Sequence, residues 1–540
     1  MTAPATTSEP SITPEEVDQS NIEVEEISPH SWQKKDTGDL GKKIPAFKQS
    51  QHCLDDMKKI KNCKDNYDFY KLFSPEHWAN HVVFESRRYG YSRGFPQEQI
   101  NQVNKNTFRC TEAFFIWSGF NGAPQVRMNW ELCPEVRSEY IANNLRRTEV
   151  EAVLRCLHFR DNKLMDDDRY FKIRPIFNIL NSGGRFFLPY SQRYAVDESM
   201  VPYFGRHGTK QFIMNKPVRY GFKIWCICSE NGVPVHMEPY CGKSTLIRDL
   251  GMGCGPNVVA SLIEKAGIQE GCEIYCDNLF TSLPLLKYCS ERGFAITGTV
   301  RSNRIIKAPI KQKKELDKKA VERGTTDCVY SEDAILVGWK DNRSVYVASN
   351  KYGLQGEQQE FCIRYCREKK QYIKIPIPHC IKKYNAGMGF VDMMDGAIAS
   401  KRPQYKGKKW WFSFWTYCLG VQTTQAWKLK QLVTGEKEPY LKFLRDLVVC
   451  MFNKHGKKYR CTPASLSVQD SRFDRVDHVP GWIAPSQEKG KKSARRNCKM
   501  CTLNGIKDSK TASCCTKCNV PLHFLPDKNC FAQYHERPTA

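Results

Sequence analysis

At 540 residues the chain is longer than one hydrophobic core usually serves, so three or four folded units are expected. An apolar content of 41% with 12% aromatics excludes a chain disordered throughout, and with no run of about 18 apolar residues no membrane-spanning helix is expected. The formal net charge of +25 points to a polyanionic partner, most simply nucleic acid.

The charge is unevenly placed. Met1–Trp32 holds seven acidic residues and no Lys or Arg, amid Ser, Thr and Pro. Residues 1–62 are therefore expected to be an acidic, disordered N-terminus. They lack the basic start and apolar centre of a signal peptide. Residues 63–192 are aromatic and helix-prone, as in "RTEVEAVLRCLHF", and predict a mainly helical region for dimerisation and DNA binding.

From Arg193 the elements follow in a clear order. "RYAVDESM" alternates as a strand and ends on Asp197 and Glu198. "YGFKIWCICSENG" and "VPVHMEPYCG" read as a hairpin about the Asn231-Gly232 turn. "NVVASLIEKAG" is a helix stopped by Gly267, and "CEIYCDNLF" a strand ending on Asp277. "SLPLLKYCSERG" and "FAITGTV" add a helix and a strand, while "GMGCG" reads as a turn. The order β-β-β-α-β-α-β is that of an RNase H-like fold, whose active site takes carboxylates from its first strand, its fourth strand and a later helix.

Residues 193–300 are thus the first part of a catalytic core, and 301–384 a polar, β-rich insertion with a hairpin or more in "CVYSEDAILVGWKDNRSVYVASN". The core resumes at 385–435. There "NAGMGFVDMMDGAIA" offers Asp392 and Asp395, which at i and i+3 share a helix face. Carboxylates gathered this way need divalent cations, and hard Mg²⁺ suits oxygen ligands and phosphate. Two Mg²⁺ (or Mn²⁺) about 4 Å apart would support phosphodiester hydrolysis and transesterification. Asp197, Asp277 and Asp392 are the candidate catalytic ligands, and Asp395 a fourth ligand or a support for Asp392. Lys210, Lys216 and Arg219 follow the first Asp, and Lys401, Arg402, Lys406, Lys408 and Lys409 follow the third, as candidate phosphate contacts.

Residues 436–483 predict a second helical dimerisation or DNA-binding region. The basic linker 484–497 includes "EKGKKSARR", whose Arg495 and Arg496 suit DNA contact or nuclear localisation. Of the 25 cysteines, six crowd into 498–540. Cys498-x2-Cys501 and Cys515-x2-Cys518, followed by His523, Cys530 and His535, match a zinc framework. Seven ligands are too many for one Zn²⁺ and one short of two tetrahedra. Two ions in a cross-braced arrangement are favoured over one, with Cys514 a candidate extra ligand.

The combination of "VDESMVPYFGRHGTKQFIMNKPVRYGFKIW", "YCDNLFTSLPLL", "YNAGMGFVDMMDGAI" with "KKWWFSFW", and the cysteine-rich tail resembles the piggyBac family of DNA transposases. "CLHFRDN" and "KIRPI" extend the similarity upstream. The resemblance implies an Asp-Asp-Asp site at Asp197, Asp277 and Asp392, with Asp395 the additional acid. It implies a homodimer, or a higher-order assembly on DNA, that excises through hairpin ends and inserts at TTAA. It further implies a nuclear protein whose tail binds double-stranded transposon ends. Trp410 stands where the family carries a Trp near the active site, which leaves base stacking and an aromatic helix core as its two readings. Two other functions stay open: a domesticated DNA- or chromatin-binding relative that does not move DNA, and a RING-like ligase using the tail.

Overall fold

The structure, a computed structural model, describes residues 32–34, 40–131, 133, 135–214, 216–367, 369–459, 478–483 and 495–536. Of the N-terminus expected to be disordered, 1–62, residues 1–31 and 35–39 lie outside the described residues, as do 460–477 of the second predicted helical region and most of the basic linker, 484–494. Residues 40–62 are described and carry a helix over Leu54–Lys61, tied down through the buried Asp56, which accepts from Arg185 at 2.8 Å. Two compact units divide the chain, one from 1–122 and 155–453, the other from 123–154 and 454–540.

The first unit is built on a nine-stranded mixed sheet. Its strands are β1 (Arg193–Pro202), β2 (Lys210–Phe212), β3 (Tyr220–Ser229), β4 (Val233–Pro239), β5 (Glu273–Cys276), β6 (Ala295–Thr299), β7 (Thr326–Tyr330), β8 (Ile335–Lys340) and β9 (Ser344–Ser349). They run in the order β2-β3-β1-β5-β6-β9-β8-β7, with β4 also paired to β3. β1, β5 and β6 are parallel, joined through helices, while β1, β3 and β4 are antiparallel. The β3–β4 connection turns on Gly232 at φ +69°, a conformation that glycine adopts without steric cost.

The predicted elements of the core are present, with three differences. β1 does not end on Asp197 and Glu198 but runs on to Pro202, held by its pairing with β3. The short β2 adds an edge to β3, and the helix after β4 starts at Cys254, taking in the end of "GMGCG". The stretch after 300 also does more than form a hairpin. β9 pairs antiparallel with β6 through Thr297 and Ser349, so β7–β9 prolong the main sheet. All six residues of β8 are buried, and each full aliphatic burial there is worth about 1.5–3 kcal/mol. A separate hairpin, β10 (Phe361–Cys366) with β11 (Gln371–Pro376), packs one face on this core.

Eight helices position the site: α1 (Asn66–Phe73), α2 (Lys105–Asn121), α3 (Arg174–Gly184), α4 (Cys254–Ala266), α5 (Leu283–Glu291), α6 (His379–Gly387), α7 (Phe390–Ser400) and α8 (Trp410–Thr434). Strand alternation assigns them to faces. Trp225 of β3 meets Phe280, ahead of α5, with ring centroids 5.2 Å apart. On the opposite face Cys228 Sγ lies 3.7 Å from Met394 Sδ of α7. α4 ends on Gly267 in the left-handed conformation, the stop read from the sequence. α8 is buried along most of its length and packs against α1, α2, α3 and α7.

In the second unit Tyr459 donates its hydroxyl to Glu149 at 2.8 Å and lies under Arg146 at 4.3 Å. Its C-terminal module has a three-stranded sheet, β12 (Pro480–Trp482), β15 (Ser513–Cys515) and β16 (Val520–Pro521). A second pair is β13 (Arg496–Asn497) with β14 (Lys510–Thr511). The buried centre of this module is Cys498, Cys501, Cys515, Cys518, Leu522, Cys530 and Tyr534. Thiols stand where a larger domain would place aliphatic side chains, so the module is short of apolar burial and suited to metal stabilisation. Among the described residues no helix is long and apolar enough to cross a membrane.

Candidate catalytic and metal sites

Asp197 lies on β1 opposite Cys226 of β3. β5 runs beside β1 only as far as Cys276, which pairs with Val196. Asp277 follows that last paired residue, so two neighbouring parallel strands deliver carboxylates at the same end of the sheet. Beyond Val196 β5 no longer covers the edge of β1, and Asp197 and Glu198 occupy that stretch.

Local hydrogen bonds aim Asp277. Its Oδ1 accepts from Leu279 N at 2.7 Å and its backbone carbonyl from Thr281 Oγ1 at 2.8 Å, an Asx turn that leads into α5. Ser282 caps that helix by accepting from Leu285 N. The loop is clamped from outside. Arg304 donates to the carbonyls of Asn278 at 3.2 Å, Thr281 at 2.6 Å and Leu279 at 3.3 Å, and Arg301 Nε donates to Asn278 Oδ1 at 3.2 Å. Sequence reasoning missed both arginines. Their signal was the i, i+3 pair in "VRSNR", just past β6.

Asp392 lies exposed in the first turn of α7, and Asp395 sits one turn on. Asp395 Oδ1 accepts from Ser199 Oγ at 2.5 Å, and that oxygen also lies 2.8 Å from the buried Tyr417 hydroxyl of α8. Asp395 is therefore tied to β1, two residues beyond Asp197.

The electrostatics show a site short of positive charge. Burial, with the neighbouring Glu198 charge, pushes the Asp197 carboxyl up to about 8. Burial also raises Asp277, and pushes Asp395 up to about 6 against the Ser199 hydrogen bond. Lys216 partly offsets this. Its Nζ lies 3.9 Å from Asp197 Oδ2 and 3.5 Å from Glu198 Oε1. Its own burial opposes charging, but the Asp197, Glu198 and Asp392 carboxylates outweigh it and raise its pKa. Among the described residues these acids do not converge to a common ligand distance; only two Cys/His groups do so, within 4.8 Å.

The expected phosphate contacts fall into three kinds. Arg219, Lys406, Lys408, Lys409, Arg495 and Arg496 are exposed, and Lys409 lies over the rings of Trp411 at 5.3 Å and Tyr89 at 5.9 Å. Lys401 and Lys210 are half-buried, Lys210 Nζ lying 5.9 Å from the Tyr220 ring. Lys216 and Arg402 instead turn toward acid: burial lowers Arg402, with Tyr417 and Asp395 beside it. Trp410, half-buried at the start of α8, joins an aromatic cluster, 4.8 Å from His207 and 6.0 Å from Phe414.

In the C-terminal module the candidate ligands form two groups of four. Cys498, Cys501, His523 and Cys530 make one; His478, Cys515, Cys518 and His535 make the other. In the first, Cys501 Sγ is 3.7 Å from Cys530 Sγ and 3.5 Å from His523 Nδ1. In the second, Cys518 Sγ is 3.4 Å from His478 Nδ1 and 3.3 Å from His535 Nε2. A tetrahedron with bonds of about 2.3 Å to sulfur and about 2.0 Å to nitrogen has edges of about 3.5–3.8 Å. A disulfide would need sulfurs about 2.05 Å apart. The spacing fits metal coordination, with two ligand sets interleaved along the chain.

His478 is the eighth candidate ligand, and Cys514 belongs to neither group. Cys514 and Cys515 are consecutive in β15, so alternation turns Cys514 away when Cys515 faces inward. His478 lies outside the cysteine-rich stretch, in "VDHVPGW", and only the shortfall of one ligand pointed to it.

A family model described as Transposase IS4 matches residues 65–427. The human PiggyBac transposable element-derived protein 3 is 31% identical over 478 residues, covering 87% of this chain and 76% of that protein. The chain belongs to the piggyBac transposase family. A second human relative, PiggyBac transposable element-derived protein 2, is 30% identical over 447 residues, 80% of this chain and 71% of its own. The cryo-EM structure of a piggyBac transposase synaptic complex with hairpin DNA superposes with a TM-score of 0.65. It is 19% identical and covers 86% of this chain and 96% of that chain, so the piggyBac fold is shared.

Proposed function

We propose that this piggyBac-family chain is a DNA transposase whose RNase H-like core cleaves and joins phosphodiesters at Asp197, Asp277 and Asp392. The observation that carries the reading is the pair of carboxylates on adjacent parallel strands, Asp197 and Asp277 each one residue past the last β1–β5 pair, with α7 pinned beside β1 through Ser199 and Asp395. The donor set suits a hard divalent cation: all its ligands are oxygens, burial disfavours the charge on Asp197 and Asp277, and an ammonium already lies beside Asp197. Asp197, Asp277 and Asp392 would hold Mg²⁺, or Mn²⁺, with Asp395 behind Asp392. The ions would supply activation of the attacking oxygen and stabilisation of the leaving one.

The chain's own residues have distinct tasks. The Asx turn and the Arg304 clamp keep the Asp277 carboxylate at the strand end. Ser199 and Tyr417 hold Asp395, and through it the register of α7 against β1. The exposed Lys406, Lys408 and Lys409, just past that helix, offer phosphate contacts that orient a duplex without reading its sequence. Two Zn²⁺ ions would complete the C-terminal module as a compact element for recognising transposon ends.

Excision through hairpin ends, insertion at TTAA, a homodimer and a nuclear location complete the proposal and rest on the family resemblance. A second reading has its own support: the human relatives are named as transposable element-derived proteins, so the fold can persist in a DNA-binding protein that does not cut. One experiment separates the two. Purified protein and Mg²⁺ are incubated with DNA carrying the ends of its own element. Nicks and hairpins that vanish in Asp277→Ala support the enzyme; binding with no cleavage rejects it.

A further inference from the structure

Lys216 faces the wrong way for a residue that only holds DNA. Its Nζ donates to the Glu198 backbone carbonyl at 3.3 Å and lies 3.5 Å from Glu198 Oε1 and 3.9 Å from Asp197 Oδ2. It rests on the stretch of β1 that β5 leaves uncovered, beside both consecutive acids. Glu198 Oε2 is buried and accepts no hydrogen bond, so Lys216 only partly satisfies that carboxylate. A second cation that feels the Glu198 charge is Lys223, whose Nζ is set 3.7 Å over the Trp225 ring. The Lys216 side chain keeps 25% of its exposure, so it has a way out to solvent.

A divalent cation on Asp197 and an ammonium within 4 Å of the same carboxylate repel each other, and both draw on one set of lone pairs. Lys216 must then give way when the ion binds. Its flexible four-carbon stem lets the ammonium swing to a new anion, and a DNA phosphate is the anion this surface is suited to meet. From this geometry we infer that Lys216 is an exchangeable counter-ion that couples DNA binding to metal loading. Without DNA it is the counter-ion of the Asp197–Glu198 pair and competes with the divalent cation for it. A phosphate that captures it frees the carboxylates, and reciprocity requires bound metal to raise DNA affinity by the same factor. Lys216 is a positioning residue here, acting through Asp197. The inference rests on the proposed divalent-cation site.

The test measures Mn²⁺ binding to the full-length, zinc-loaded protein by electron paramagnetic resonance, with and without a mixed-sequence DNA duplex. Asp197→Asn subtracts binding elsewhere. Without DNA, Lys216→Met and Lys216→Gln should bind Mn²⁺ about tenfold more tightly than the unaltered protein, within the usual range of such couplings. Both should lose the gain in Mn²⁺ affinity that the duplex produces, and Lys216→Arg should keep it. In buffer free of Mg²⁺ and Mn²⁺, with zinc retained and no chelator, the neutral variants should melt lower, with a larger rise on adding Mn²⁺. Unchanged or weaker Mn²⁺ binding in both neutral variants overturns the inference, as does a duplex that produces no gain in the unaltered protein. If Asp197→Asn binds Mn²⁺ like the unaltered protein, the cation site itself fails. That result is distinct from one in which only the Lys216 variants behave unexpectedly.

Discussion

Ser199 donates to Asp395 across 2.5 Å, joining the strand that carries Asp197 to the helix that carries Asp392. The serine oxygen is shared with Tyr417, so a third element, α8, enters the same joint. Ser199→Ala would leave the Asp395 carboxylate and the Tyr417 hydroxyl buried without this partner. A loss of about 1–3 kcal/mol in stability is expected. Cleavage should drop about tenfold, because one such loss of transition-state positioning is worth about 1.4 kcal/mol. Ser199→Thr, which keeps the hydroxyl, should recover part of both. Melting curves and a nicking assay read the two effects, and a Ser199→Ala variant with full activity would remove the joint from the site.

The metal content of the tail can be counted. Elemental analysis should find two zinc ions per chain in the purified protein. His478→Ala should leave about one, because three ligands of a four-ligand set remain and affinity falls steeply. Cys514→Ser should leave both. A chelator should unfold the C-terminal module while the first unit keeps its melting transition. If His478→Ala retains two ions, the grouping around His478 is incorrect.

Acid should weaken the first unit through His158. Its side chain is 8% exposed, stacked on Tyr89 at 3.7 Å, and burial pushes its pKa from 6.5 down to about 4. The folded pKa lies below the unfolded one, so the stabilisation is present above pH 6.5 and lost as pH falls toward 4. Each tenfold change in proton affinity is worth about 1.4 kcal/mol, so the loss is about 3 kcal/mol at most. His158→Phe should melt with a shallower dependence between those limits. Equal slopes in the two proteins would assign the acid sensitivity elsewhere.

Two glycines should respond in opposite ways to alanine. A Cβ on Gly255 would come within 2.2 Å of the Leu279 carbonyl oxygen, in the loop that aims Asp277. Gly255→Ala should cost about 1–3 kcal/mol and reduce cleavage as α4 and the loop move apart. Gly396, exposed on α7 with nothing within 4 Å of its would-be Cβ, should accept alanine and gain about 0.5–1 kcal/mol. Calorimetry of the pair decides whether the close approach at Gly255 matters.

Local signals carried the order of the core elements. Alternation marked β1, the Asn231-Gly232 turn marked the β3–β4 hairpin, and Gly267 marked the end of α4. These depend on residues a few positions apart, where chain geometry alone sets the outcome. The pairing of Thr297 with Ser349 depends on a partner beyond a long intervening segment, and no local pattern selects it. The direction taken by Lys216 was equally hidden, since a lysine in "MNKPVR" reads as a solvated cation until Glu198 and Asp197 are placed beside it. His478 is a lone histidine in a stretch with no cysteine, and tertiary folding alone brings it to Cys515, Cys518 and His535.

The β6–β9 pairing gives the segment after residue 300 a status that its position between two halves of the site conceals. It is not a cassette that evolution or an engineer could lift out. Removing it would strip β6 of its neighbour and leave an open strand edge, a template for aggregation, two strands from Asp197. Shortened versions of this protein should therefore fail by precipitating before they fail as catalysts.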